Sequence, residues 1–174
     1  MRLFIALDFD ELKDYFVSIQ DQIDEEFAKV SFPRSFHLTL KFLGEVAENK
    51  VSIIKEELKK IKFESFSIYL DKISFFPNEN YIKVVWIGLK PMDKINELQQ
   101  KIDDSLVNLF PKDKRFHPHL TICRVKFVKD KPKFIENLNK IEIEEKKIDV
   151  NKFKLIKSTL TREGPVYEVL DVFG

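Results

Sequence analysis

The chain has 174 residues, 44% of them hydrophobic, with 30 basic against 29 acidic side chains. That length suits one domain with a real core, and charges that nearly cancel exclude a global electrostatic pull on nucleic acid, so any RNA contact has to come from a local patch. Its one cysteine, Cys123, excludes an internal disulfide and a multi-cysteine zinc site, and with four glycines there is no phosphate-cradling glycine-rich loop.

The apolar run at 3–7 predicts a strand at the start. Apolar Leu12, Phe16, Ile19 and Ile23 then predict a helix over 11–27. A short strand follows around His37, Leu38, Thr39 and Leu40, and a second helix is expected over 47–61. Residues 65–76 and 81–89 read as a strand pair across Pro77, Asn78, Glu79 and Asn80. The spacing of Ile95, Leu98, Ile102, Leu106 and Leu109 predicts a third helix over 92–110, ahead of a strand around His119, Leu120, Thr121 and Ile122. A short helix over 131–138 leads to a closing strand pair, 146–160 and 166–173, across Glu163, Gly164 and Pro165. No apolar run is long enough to span a bilayer, the opening residues do not form a leader, and a lone cysteine fits a reducing interior, so a soluble cytoplasmic protein is expected.

Two of the three histidines sit in copies of one tetrapeptide, His-Leu-Thr-Leu from His37 and His-Leu-Thr-Ile from His119. Residues i and i+2 of a strand share a face, so each copy sets an imidazole beside a hydroxyl and sends its aliphatic residues to the opposite layer. Two imidazoles can divide acid and base work near neutral pH, and Thr39 and Thr121 can hold an anion between them. Phosphodiester chemistry without a metal is the leading reading.

The 82-residue offset between the motifs recurs elsewhere, as residues 3–7 then fall against 85–89. A duplicated β-α-β unit explains this pattern. The expected architecture is α+β: two antiparallel-rich sheets around a central cleft, helices on the outer faces and a pseudo-twofold repeat. The chain, 1–174, is expected to be a single bilobal domain with similar halves at about 2–83 and 84–165, closed by a strand at 166–174.

The two motifs and their flanks, Phe36-His37-Leu38-Thr39-Leu40-Lys41-Phe42-Leu43-Gly44 and Pro118-His119-Leu120-Thr121-Ile122-Cys123-Arg124, resemble the 2H phosphoesterase superfamily. The opening Met1-Arg2-Leu3-Phe4-Ile5-Ala6-Leu7-Asp8 and the late Gly164-Pro165-Val166-Tyr167 resemble its RNA 2′,3′-cyclic phosphodiesterase branch, also called 2′-5′ RNA ligase-like. This resemblance implies hydrolysis of a terminal 2′,3′-cyclic phosphate to a 2′-phosphate, with 2′-5′ ligation as the reverse reaction. It implies His37 as proton donor and His119 as proton acceptor, roles that two near-identical motifs do not distinguish by themselves. Arg124 matches an arginine that the family uses on phosphate. Strict alternation puts Arg124 on the wrong face of its strand, so a bulge is required if it is to reach the cleft. The implied partners are RNAs with 2′,3′-cyclic phosphate ends, tRNA fragments among them; no cofactor, no metal and no membrane is implied, and the expected state is a monomer.

Two rival readings stay open at the level of sequence. His117 and His119 share one strand face and could ligate a metal in a metal-dependent phosphoesterase, with a carboxylate completing the set. Alternatively the cleft binds RNA ends without chemistry. Seventeen phenylalanines are many for this length; most belong to a core, and an exposed one could stack on a nucleobase as in single-strand RNA readers.

Overall fold

The computed structural model describes all residues from Met1 to Gly174. The elements in chain order are β1 (Arg2–Asp8), a 3-10 turn (Asp10–Leu12), α1 (Lys13–Gln20), β2 (Ala28–Ser31), β3 (His37–Glu45), α2 (Glu48–Lys59), β4 (Phe66–Asn78), β5 (Tyr81–Lys90), α3 (Asp93–Ser105), β6 (Leu120–Val128), α4 (Lys131–Lys140), β7 (Lys147–Val150), β8 (Phe153–Thr161) and β9 (Gly164–Phe173). They form two sheets, a four-stranded one in the order β3-β1-β8-β9 and a five-stranded one in the order β2-β6-β5-β4-β7. All strand pairs are antiparallel, and the α+β architecture expected from sequence is present.

Alternation builds the sheets. On β1, Leu3, Ile5 and Leu7 enter the main core, while Phe4 and Ala6 face the other way and pack with Ile156 and Tyr167. That second face is the floor on which the candidate site is laid. Helices α1, α2 and α3 pack against β6, β9 and β3 respectively, and buried Phe134 and Leu138 seat α4. The α4 start is fixed by Asp130, whose carboxylate accepts the amide of Lys133 at 3.2 Å, with Pro132 in the first turn.

Three expectations need correction. The helix expected over 11–27 ends at Gln20, because residues 28–31 pair with β6 as β2 and the carbonyl of Phe27 accepts the amides of Lys129 and Asp130 at 2.8 and 3.1 Å. Sheet pairing outcompetes the apolar spacing there. The long strand expected over 146–160 is two strands in different sheets, β7 on β4 and β8 on β1. Finally, β1 and β5 correspond at an offset of 80 rather than 82: Ala6 pairs with Thr39 and Trp86 with Thr121, while Leu7 pairs with Leu38 and Ile87 with Leu120.

Each sheet also draws on both ends of the sequence. β8 and β9 complete the sheet begun by β1 and β3, and β2 extends the sheet of β6. No helix is long and apolar enough to cross a membrane.

Candidate active site

His37 opens β3, with Asp8 opposite it on β1. The β1 end is tied to this point by a short loop: Phe9 N–H donates to the Phe36 carbonyl at 2.9 Å, and Phe36 N–H donates to Asp10 Oδ1 at 3.1 Å. Asp8 Oδ1 accepts the Asp10 amide at 2.8 Å, and its other oxygen is ion-paired with Lys154. Burial pushes the Asp8 carboxyl up, but the Lys154 ammonium and the Asp10 amide outweigh it and hold the group below its usual range. The His37 ring lies 4.9 Å from Phe4 and meets Tyr167 edge-on at 5.1 Å. This enclosure lowers the imidazole to about 4 through burial; Asp10 and Asp8 push it up, while Arg124 and His119 push it down.

His119 lies one residue before β6 rather than inside it. Pro118 removes a donor and favours an extended approach, and the His119 Nδ1 comes within 2.8 Å of the His117 carbonyl. A carbonyl only accepts, so this contact selects the tautomer with hydrogen on Nδ1 and leaves Nε2 with its lone pair. The ring meets Phe76 edge-on at 5.0 Å and Trp86 at 6.0 Å, and Phe76 and Trp86 stack on one another at 4.7 Å. Burial lowers the imidazole, the His117 carbonyl raises it, and His117 and Arg124 lower it further.

Both motif strands carry the same irregularity. Between the pairs Ala6–Thr39 and Ile5–Lys41 the register skips Leu40; between Trp86–Thr121 and Val85–Cys123 it skips Ile122. Each bulge turns two successive residues inward, so Leu40 and Lys41, like Ile122 and Cys123, are buried. The next residue returns to the face of the histidine. Arg124 thereby reaches the cleft, where its charge acts on His37, His119 and Tyr167 alike. The cleft therefore gathers His37, Thr39, His119, Thr121 and Arg124 from two strands of different sheets.

His117 does not extend this set. Its ring packs edge-on against Trp86 at 5.0 Å and Phe76 at 5.6 Å, and no group of three or more His, Cys, Asp or Glu side chains is arranged to hold a metal ion. Sequence reading missed Asp8, Phe4, Phe76 and Tyr167 as neighbours of the histidines. Asp8 and Tyr167 stand in segments that carried the family resemblance; Phe4 and Phe76 look like ordinary strand aromatics and gave no signal.

The LigT like Phosphoesterase family model matches this chain twice, over residues 7–86 and 87–167. The chain belongs to this family. A Methanocaldococcus jannaschii protein named RNA 2′,3′-cyclic phosphodiesterase is 40% identical over 174 residues, covering 98% of each chain. One of the same name from Thermotoga maritima is 37% identical over 180 residues, covering 98% of this chain and 93% of its own. Among solved structures, one from Thermus thermophilus superposes with a TM-score of 0.83 at 26% identity, covering 99% of this chain and 97% of the other. Escherichia coli LigT complexed with 3′-AMP gives 0.73 at 23% identity, covering 98% and 95%, and shares the fold. The two matched segments agree with the doubled motif, and the two-sheet architecture is that of these phosphoesterases.

Proposed function

We propose that this phosphoesterase hydrolyses the 2′,3′-cyclic phosphate at the end of an RNA to a 2′-phosphate, by general acid-base catalysis between His37 and His119. The observation that carries the reading is the meeting of the two His-x-Thr faces with Arg124 between them, in a chain 40% identical to a named RNA 2′,3′-cyclic phosphodiesterase. Escherichia coli LigT, solved with 3′-AMP and with phosphate, lends support to a nucleotide phosphate as the ligand class.

In the reaction a water oxygen forms a bond to phosphorus as Nε2 of His119 takes its proton. The bond from phosphorus to the 3′ oxygen breaks, and His37 gives that oxygen a proton. Thr39 and Thr121 hydrogen-bond the non-bridging oxygens, and Arg124 balances the charge of the five-coordinate species. The reverse sequence joins a cyclic phosphate to a 5′-hydroxyl through a 2′-5′ linkage.

The division of roles has a physical basis in the neighbours of the two rings. Asp8 and Asp10 push His37 toward imidazolium, whereas no carboxylate acts on His119. In the second sheet the position matching Asp8, one step past the Ile87–Leu120 pair, is Gly88. The His117 carbonyl meanwhile keeps the Nε2 of His119 free to accept. A phosphate anion arriving in the cleft adds the negative charge that completes protonation of His37. RNA ends, tRNA fragments included, are the partners we propose, with the protein acting as a cytoplasmic monomer.

The test is product analysis with an RNA ending in a 2′,3′-cyclic phosphate, in EDTA, for the wild type and the His37→Ala and His119→Ala variants. A 2′-phosphate formed by the wild type, with each variant slower by about 10²- to 10⁴-fold, is the expected result. Activity that needs added zinc, or binding without turnover, overturns the reading.

A further inference from the structure

The two lobes differ most at one matching position. Phe42 and Arg124 each follow the bulge of their motif strand, five residues after the histidine, and pair with Phe4 on β1 and Val84 on β5 respectively. One lobe places a guanidinium there and the other a phenyl ring. Phe42 is 66% exposed, on the same face as His37, with its ring 6.0 Å from Phe4, which in turn lies 4.9 Å from His37.

Phe42 is no isolated surface hydrophobe. It begins a row that crosses all four strands of its sheet, Phe42–Phe4–Ile156–Val169, each residue the register partner of the next. Phe4 and Ile156 are buried in the middle, while Val169 at the far end is 48% exposed. The floor of the first lobe is thus a flat apolar strip beside the donor histidine, and the matching place in the second lobe is cationic.

We propose that Phe42 is the nucleobase platform of this site: the terminal base of the RNA stacks on its exposed ring while the cyclic phosphate lies toward Arg124 on the opposite strand. This deepens the phosphodiesterase reading and rests on it. A base has an apolar π-face and an anionic neighbour, and only this arrangement gives each its complement. The asymmetry also sets the polarity of binding. With the base on the first lobe, the ribose bridges from Phe42 toward the cleft on the side of His37, so its 3′ oxygen leaves toward His37 and water attacks from the side of His119. The platform therefore supplies a geometric reason for the donor and acceptor roles that the motifs alone do not contain.

Stacking on an aromatic side chain, removed by alanine, costs about 5- to 150-fold in binding. The experiment compares wild type with Phe42→Ala, Phe42→Leu and Phe42→Trp on two substrates, adenosine 2′,3′-cyclic phosphate and the base-free 1-O-methylribose 2′,3′-cyclic phosphate. Expected for Phe42→Ala and Phe42→Leu is a rise in KM of this size on the adenosine substrate, little change in kcat, and no change on the base-free one; Phe42→Trp retains wild-type KM. Equal KM across the variants on adenosine, or an equal loss on both substrates, overturns the platform. Calorimetry with adenosine 2′-phosphate and 1-O-methylribose 2-phosphate reads the same contrast without turnover. If the wild type hydrolyses neither substrate the phosphodiesterase reading fails, and the binding contrast still decides whether Phe42 holds a base.

Discussion

Asp8 stands directly opposite His37 in the β1–β3 register, and the position matching it beside the second histidine is Gly88. This single difference between otherwise parallel half-sites gives the pair its electrostatic direction. His37 is held at about 4, first by burial, with Asp10 and Asp8 opposing, so in the free enzyme it loses its proton as pH rises above that value. A donor must be protonated, and kcat/KM, which reports the free enzyme, should therefore peak on the acid side of 6.5 and fall toward neutrality. In the bound state the substrate phosphate favours the imidazolium, so the alkaline limb of kcat should lie at higher pH. Asp8→Asn removes one upward push and should shift both limbs to lower pH. Profiles measured on a cyclic nucleotide check this, and a shift to higher pH in Asp8→Asn would refute the assignment.

Arg124 provides the charge that both histidines feel, and its planar donors match a phosphate in a way an ammonium does not. Arg124→Gln is expected to lower kcat/KM by about 10- to 1,000-fold, the range for losing a donor to developing negative charge, with Arg124→Lys intermediate. The neutral variant should also push His37 upward, since Arg124 holds it down. Steady-state kinetics at two salt concentrations check both points: the residual activity of Arg124→Gln should depend less on salt than that of the wild type.

The doubled His-x-Thr pattern made the site legible because period-2 alternation places the imidazole and the hydroxyl on one face, whatever the rest of the fold does. Arg124 was legible only conditionally, as strict alternation opposed it; the bulge that restores it depends on skipping Ile122, which no local preference announces. The same bulge explains why Lys41 points into the core and Phe42 out of it, a pattern that reads from sequence as an ordinary lysine beside an ordinary core phenylalanine. Helices α2 and α4 follow the expected spans closely because their apolar spacing and their boundaries agree. The expectation for 11–27 fails where pairing of residues 28–31 with β6 competes, a tertiary choice outside the reach of local periodicity. Asp8 acquires meaning only through the register that sets it beside His37.

Cys123 is the inward partner of that second bulge, fully buried in the core, and burial pushes its thiol up to about 12. A thiolate is the reactive species, so neither exposure nor ionisation favours attack. Iodoacetamide at pH 8 should leave the native protein unmodified and active, with alkylation appearing only in denaturant. Mass spectrometry of the treated protein, read beside its activity, checks this; rapid native labelling would mean that β6 opens locally.

Lys41 and Asp103 carry the strongest structural tie between the half-sites. Turned inward by the first bulge, Lys41 has a side chain only 1% exposed, ion-paired with Asp103 of α3, donating to the Pro111 carbonyl at 2.9 Å and lying 3.5 Å from Asp113. Asp103 is further satisfied by the Asp113 amide at 2.9 Å and the Gln99 side chain at 3.1 Å. Burial raises its carboxyl, but Lys41 and these donors together bring it below the usual range. The network fastens β3, which carries His37 and Thr39, to the segment that runs from α3 into His119. Lys41→Met strands the Asp103 carboxylate in the core and should cost about 3–5 kcal/mol in urea unfolding. Adding Asp103→Leu removes the stranded charge and should recover much of that stability, since a buried pair is often replaceable by apolar packing. Activity separates fastening from mere stability: if the network sets the spacing of the two histidines, the double variant should stay slow in kcat even where it is fully folded, and a double variant with wild-type kcat would show that packing alone holds the cleft.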